Sequence, residues 1–325
     1  MRFEVGRTPW SAADAPVGLR VRGPGGPPHS AFDRVAGRYD ALWTTTAIGR
    51  AQRNLVWRDI DALFRPGMRI LDIGCGTGED AAHFTARGVA VYATDASPAM
   101  VQVAQARGGF TAEVRSAEEL GQIGGTFDGA ISNFGALNCV ENLPAVAGSL
   151  AGLVRPGGRV AICLLGRFCA WETLYYAVRL QYGKAIRRWS GRATIEIRGV
   201  PSDFVGQDGI LCAGWQPALG GHLPATAGGL PTRRRMPSCP TERAPQTDNL
   251  AAMTVHYPTV SEIRAAFAPA FELQRWTGIG LCVPPSYVKL PATMVGVLAA
   301  CDRLLARLPL LRALADHRLF LLVRK

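Results

Sequence analysis

The sequence predicts an α/β fold, a mostly parallel sheet with helices on both faces, and three observations predict it. Short apolar runs alternate with helical segments of about ten residues between Met68 and Lys184. Glycine or proline closes these segments, as at Gly88 and at Pro156-Gly157-Gly158. A glycine-rich turn, Asp72-Ile73-Gly74-Cys75-Gly76-Thr77-Gly78, joins the first apolar run to the first helix after it. A strand feeding a helix and returning to a neighbouring strand gives a parallel sheet.

The elements follow in order. Ser30 begins a helical pattern, with Asp33 at the capping-box position and Phe32, Val35, Ala36 and Tyr39 on one face. Arg69 to Ile73 reads as a strand, Glu79 to Arg87 as a helix and Ala90 to Thr94 as the next strand. Ser97 to Arg107 is a helix with Pro98 suited to its first turn. Phe127 to Ser132 is a strand, Leu143 to Leu153 a helix and Arg159 to Leu165 a strand. The rhythm then breaks. Residues 167 to 190 read as aromatic helix and Ala193 to Arg198 as a strand, while residues 200 to 250 carry no period. Order returns at Met253 to Tyr257, with a helix over Val260 to Phe267 and a strand over Phe271 to Trp276. A helical stretch from Ala292 to Ala315 and a last strand, Arg318 to Val323, follow.

The domain organisation expected is a loose tail over 1-29, a ligand-binding core over 30-166 and a lid or substrate insertion over 167-258, with low complexity at 200-250. The rest of the sheet, with a helical insertion, falls in 259-325.

Composition narrows the function. The 325 residues include 36 basic and 25 acidic side chains, a net charge of +11, which favours anionic partners without choosing among nucleic acid, membrane surface or acidic substrate. The eight cysteines stand singly, with no zinc spacing, and imply free thiols in a reducing compartment. No secretory pattern and no apolar run of membrane-spanning length is evident, so the expectation is a cytoplasmic protein.

The glycine turn carries the chemistry. Glycines let a ligand lie against the backbone, and the N–H groups that open the next helix attract negative charge. A second acid, Asp95, ends the next strand about twenty residues on, where a ribose needs a double acceptor. The spacing is G-x-G-x-G rather than G-x-G-x-x-G, and Asp72 precedes it. A carboxylate there repels a pyrophosphate and suits a cationic ligand.

The stretch Ile70 to Asp80 resembles motif I of class I S-adenosylmethionine-dependent methyltransferases. Further segments resemble that family in order, from 31 to 40, through Thr94 to Met100 and Ser116-Ala117-Glu118, to Phe127 to Gly135 and Leu153 to Gly158. The N-terminal helix resembles the small-molecule and quinone-type branch. The resemblance implies a Rossmann-like, seven-stranded sheet of order 3-2-1-4-5-7-6 with an antiparallel strand 7 and a lid insertion after strand 5. It implies S-adenosyl-L-methionine as cofactor. Asp72, Gly74, Cys75, Gly76 and Gly78 would hold the methionine moiety and Asp95 the ribose. Ala96 would flank the adenine, Ala117 and Glu118 would meet its edge, and Ser97 and Met100 complete the set. Asn133 and Phe134 would line the floor near the sulfonium, under Tyr39.

A methyl on a sulfonium is already activated, so transfer requires alignment above all. A base is needed where the acceptor carries a proton. The candidates are Glu141, Glu172, His256, Tyr257 and Tyr287, with His256 and Tyr257 first because they precede the helix that returns to the sheet. His83 is expected to pack or to lie exposed rather than to act in catalysis. The dispersed acids offer no metal site. Phe168, Trp171, Tyr175, Tyr176, Tyr182, Trp189 and Trp215 favour an apolar or aromatic small molecule as acceptor: a secondary metabolite, lipid or quinone precursor methylated on O, N or C. The apolar stripe of Leu304, Leu305, Leu308, Leu311 and Leu314 is expected to cover the core, though it leaves peripheral membrane contact open. Two other functions compete. Arg233-Arg234-Arg235 and the net charge speak for an RNA or DNA methyltransferase, against which Asn133-Phe134-Gly135-Ala136 is not the motif for a base amine. A non-catalytic S-adenosylmethionine-binding protein is the third. Nucleic acid is disfavoured as a partner, and the chain is expected as a monomer or homodimer.

Overall fold

In the computed structural model, residues 30–197, 251–288 and 290–325 are described. The tail expected at 1–29 and the low-complexity stretch at 200–250, with Trp215 and Arg233-Arg234-Arg235, lie outside the described residues.

The chain enters through α1 (Ser30–Asp33) and α2 (Ala36–Tyr39), then a π turn over Asp40–Thr44. It continues into α3 (Ala47–Ile60), whose first turn Thr46 caps by accepting from Gly49 N–H at 3.0 Å. Then come β1 (Arg69–Ile73), α4 (Glu79–Ala86), β2 (Ala90–Asp95), α5 (Pro98–Arg107), β3 (Thr111–Val114) and β4 (Phe127–Ser132). They are followed by α6 (Leu143–Leu153), β5 (Val154–Leu165), α7 (Ala170–Ala177), α8 (Tyr182–Ala185) and β6 (Arg192–Ile197). After the undescribed stretch come β7 (Ala251–His256), α9 (Val260–Phe267), β8 (Phe271–Ile279), α10 (Ala292–Leu305) and β9 (His317–Arg324).

Among the described residues the main sheet has seven strands in the order β3-β2-β1-β4-β5-β9-β8. Strands β1 to β5 are parallel, and β9 inserts antiparallel between β5 and β8. This is the order the family resemblance implied. Strands β6 and β7 form a separate antiparallel pair. Both faces of the main sheet are covered, and β9 shows it residue by residue. Leu319 and Leu321 join Val56, Ile60 and Val295, contributed by α3 and α10. Phe320 and Leu322 join Val146, Leu150 and Ile263, contributed by α6 and α9.

Three expectations change. β5 starts at Val154 rather than Arg159, because Phe127 pairs with Val154 and the ladder takes up Pro156-Gly157-Gly158 as a register shift before Gly129. Asp33 does more than the reach back to Ser30 expected of it: its carboxylate accepts from Ser97 Oγ at 2.6 Å and Ala99 N–H at 3.2 Å, at the start of α5. The leucine stripe does not cover the core: Leu304 is 75% exposed and Leu308 48%. The buried face of this segment is Val295, Asp302 and Ala306. A polar anchor selects it. The Asp302 carboxylate accepts from the backbone N–H groups of Leu281 (3.0 Å), Cys282 (3.3 Å) and Val283 (3.0 Å).

Asp302→Ala strands those three donors, one buried and two part-buried, at once. We expect a loss of about 3 kcal/mol in unfolding free energy, measured by urea denaturation; a loss below about 1 kcal/mol contradicts the anchoring role.

Candidate functional site

The site is built where β1, β2 and β4 end. After β1, the backbone amides of Gly74 and Cys75 both donate to Thr94 O, at 2.7 and 2.9 Å, which folds the glycine turn over the end of β2. Gly74, Gly76 and Gly78 all take positive φ, at 69°, 54° and 80°. A Cβ on Gly74 would meet that of Ala136 at 2.2 Å, and one on Gly78 would meet Phe110 and Ala104. Gly76 differs: a Cβ there would meet nothing within 4 Å. Its surface is open for a ligand to approach the backbone.

Asp95 is fixed by what it accepts. Oδ2 takes the Gly76 N–H at 2.8 Å and Oδ1 the Ser97 N–H at 2.9 Å. Ser97 then caps α5, accepting from Met100 N–H at 3.1 Å. Ala96 is half-buried beside Asp95, whereas Met100 is fully buried among Val35 and Ala36, so the structure places it in packing. Ala117 and Glu118 open a 3-10 turn after β3, held by a capping box between Ser116 and Glu119, with Ala117 half-buried and Glu118 exposed.

Asp72 and Asn133 carry polar atoms that nothing satisfies. Asp72 Oδ2 and both amide atoms of Asn133 are buried without a hydrogen-bond partner among the described residues. Burial pushes the Asp72 carboxyl well above the usual carboxylate range, Asp80 adding to the effect and Arg53 opposing it. Phe134 follows Asn133 at φ 52°, a left-handed backbone that bulky residues rarely hold. The Cys75 thiol on the turn is raised by burial first and then by Asp72, so it stays protonated.

A cover closes over this edge, and sequence reasoning saw little of it. Tyr39 is half-buried, with its ring 6.1 Å from that of Trp43, which meets Phe134 edge-on at 4.6 Å. Burial raises the Tyr39 phenol, so it remains a donor. Arg53 lies over both Trp43 (4.7 Å) and Phe134 (4.8 Å) and pairs with Asp80, which also accepts from Trp57 Nε1 at 2.7 Å. Asp40 accepts from Thr77 Oγ1 at 2.6 Å and from Arg107. With Asp33 on Ser97, these contacts tie the segment before β1 onto the first turns of α4 and α5. Arg53 carried no local motif, and the family-like stretches that hold Asp33, Asp40 and Asp80 gave no sign of these contacts. The one available signal was the acid pair Glu79-Asp80 at a helix start.

The candidate bases scatter. Glu172 is corrected to a structural role: its carboxylate is buried and accepts from Arg188 Nη2 at 2.6 Å and Arg187 Nε at 2.8 Å. Tyr287 packs against Tyr175 and Tyr176, at 4.8 and 6.0 Å. His83 stacks on Trp57 at 3.8 Å and bonds Asp61, as packing predicts. Met253, Val255 and Tyr257 pack into the cluster of Val35 and Met100, so alternation along β7 turns His256 the other way. His256 opens with Glu141, Arg167 and Arg192 on a cleft of about 760 Å³, whose lining includes none of the expected cofactor residues. Its imidazole is held below the ordinary histidine range by burial and by Arg192, against Glu141. Tyr257 is buried, and Arg188 lies 5.5 Å from its ring.

The residues at the glycine turn fit S-adenosylmethionine: an unpaired carboxylate for a cation, a doubly anchored acceptor for a ribose and an open glycine between them.

Comparison with known proteins agrees. A family model described as a methyltransferase domain matches residues 49–197. The chain is 37% identical over 152 residues to a demethylmenaquinone methyltransferase from Beutenbergia cavernae, covering 44% of this chain and 61% of that protein. It is 34% identical over 143 residues to the protein of the same description from Thermobifida fusca, covering 41% and 58%. The chain thus spans about three fifths of these relatives' lengths. The CcbJ methyltransferase of Streptomyces caelestis shares the fold at TM-score 0.52 and 13% identity, over 92% of this chain and 99% of that one. The glycine turn, the sheet order and these matches agree, and over residues 49–197 this chain is similar to S-adenosylmethionine-dependent methyltransferases.

Proposed function

We propose that this chain transfers the methyl group of S-adenosylmethionine to a small apolar or aromatic acceptor of the quinone-precursor kind. The observation that carries the cofactor half is Asp95, whose carboxylate bridges the amides of Gly76 and Ser97 beside the open face of Gly76. The acceptor half rests on the demethylmenaquinone methyltransferases to which residues of this chain are similar and on the aromatic character of the segment after β5.

When bound, the cofactor supplies a methyl group already activated on a sulfonium. The chain's own residues bind and orient it. Asp72 receives the ammonium, Asp95 the ribose hydroxyls, and Asn133 and Phe134 form the floor. Tyr39, Trp43 and Arg53 close the site against water, which aligns the reacting groups rather than activating them chemically. No helix among the described residues is long and apolar enough to cross a membrane. Six free cysteines among those residues fit a reducing, cytoplasmic setting.

The test is transfer of labelled methyl from S-adenosylmethionine to demethylmenaquinol, kept reduced and recovered in the organic phase. Cofactor binding without transfer would favour a non-catalytic binder, and label retained on added RNA would favour a nucleic-acid methyltransferase.

Three outcomes follow for cofactor binding. Asp95→Ala raises the dissociation constant roughly thirtyfold, about 2 kcal/mol, in calorimetry; an unchanged constant removes Asp95 from the ribose. Gly76→Ala costs about 1 kcal/mol of stability yet weakens binding by more than about tenfold, because the new methyl occupies ligand space; a variant that binds normally refutes the open approach. The third is pH dependence. The raised Asp72 carboxyl must ionise to meet a cation, so binding releases a proton below its pKa and affinity falls as pH falls. Calorimetry in buffers of different ionisation enthalpy should show this release in the wild type and not in Asp72→Asn.

A further inference from the structure

We propose that His317 takes the proton that a hydroxyl-bearing acceptor loses as it gains the methyl group; this rests on the methyltransferase reading above. His317 is the first residue of β9, paired with Leu165 at the end of β5 and with Ile279 on β8. It is 1% exposed, and neither ring nitrogen has a hydrogen-bond partner among the described residues. Its ring meets Phe134 edge-on, with centroids 5.5 Å apart at 81°. Phe134 is thus shared, its ring meeting Trp43, Arg53 and His317. Buried polar atoms are nearly always bonded. An imidazole left bare beside the expected sulfonium floor points to a partner brought by a ligand.

The surroundings suit a base. Asp316 Oδ2 lies 3.3 Å from His317 Nδ1 without the alignment of a hydrogen bond. Asp316 Oδ1 accepts from Arg188 Nη1 at 2.8 Å, and Glu172 holds Arg188 from behind. Asp316 can therefore orient Nδ1–H, leaving Nε2 as the acceptor, the arrangement in which a fixed carboxylate selects the imidazole tautomer. The charges facing His317 are Asp316, the residue before its strand, Arg188 from the turn at 187–190 and, against Phe134, Arg53. Burial, aided by Arg188 and opposed by Asp316, holds the imidazole below the ordinary histidine range, so it is neutral at pH 7. In the step, the acceptor O–H proton moves to Nε2 and the oxygen lone pair forms the new bond to the methyl carbon. The carbon–sulfur bonding pair stays on sulfur. One positive charge passes from sulfonium to imidazolium, beside an ionised Asp316.

The experiment uses the full chain with 1,4-naphthohydroquinone, kept reduced, as acceptor and 1,4-dimethoxynaphthalene as a control without a proton. His317→Gln should lower kcat for the hydroquinone by about a hundredfold while S-adenosylhomocysteine binds within about twofold of wild type. The acid limb of the wild-type kcat profile should vanish in the variant. In the wild-type S-adenosylhomocysteine complex, the ¹⁵N signals of His317 should shift on adding the hydroquinone and stay fixed with the dimethoxy compound. This second readout stands even where the variant fails to fold. A variant within about threefold of wild type, or ¹⁵N signals that ignore the hydroquinone, overturns the assignment. A wild type that binds S-adenosylhomocysteine but neither binds nor methylates the hydroquinone also overturns it and leaves the cofactor reading intact. Loss of S-adenosylhomocysteine binding in the wild type overturns the methyltransferase reading itself.

Discussion

The ion pair between Arg53 and Asp80 is the contact on which the cofactor edge depends. Both side chains are buried, at 8% and 7% exposure. A buried charge without its partner is strongly destabilising, so such a pair forms or breaks as a unit. Asp80 lies in the first turn of α4, where the helix dipole and Trp57 Nε1 also favour its charge. Arg53 comes from α3, and its guanidinium packs against both Trp43 and Phe134. One group therefore joins the helix before the sheet, the turn that precedes it, the helix after the glycine turn and the end of β4. The surface pairs Arg155–Asp128 and Arg167–Glu262 have no such reach, and water screens them.

That clamp makes sense of the polar groups left bare beside it. Glu172, Arg188 and Asp316 are buried and bond to one another at 2.6 to 2.8 Å, with Asp316 Oδ2 left over beside His317. Asp72, Asn133 and His317 are buried too, and among the described residues they keep atoms without partners. They stand at the ends of β1, β4 and the β5–β9 pair. On the function proposed above, these open atoms along one edge are capacity for a ligand with a cation and polar termini.

The glycine turn, Asp95 and Ser97 were legible in the sequence because their contacts are short in range: Gly76 and Asp95 lie 19 positions apart, and Ser97 caps a helix it begins. The cover was not legible. Arg53 meets Asp80 across 27 positions, Thr77 meets Asp40 across 37, and Ser97 meets Asp33 across 64. No spacing rule links such pairs before the fold brings them together. Glu172 read as an available carboxylate for the same reason, since its role depends on Arg188, which in turn holds Asp316 128 positions further along. The leucine stripe failed differently. Helical periodicity reports that a face exists, and it does not weigh one buried aspartate against five leucines. Asp302, with three backbone donors from the loop at 281–283, decided which face turned inward.

The two histidines show how topology overrides position along the chain. His256 precedes the helix that returns to the sheet, which is why the sequence favours it, but β7 pairs with β6 outside the main sheet and turns it toward another cleft. His317 lies in the last strand, with no motif around it. In an open α/β sheet ligands bind beyond the carboxyl ends of the parallel strands. A strand inserted antiparallel begins where its neighbours end. The first residue of β9 must therefore lie at the ligand edge, and here it is a histidine whose ring reaches Phe134. The antiparallel insertion of β9, rather than any local signal, brings the far end of the chain into the site.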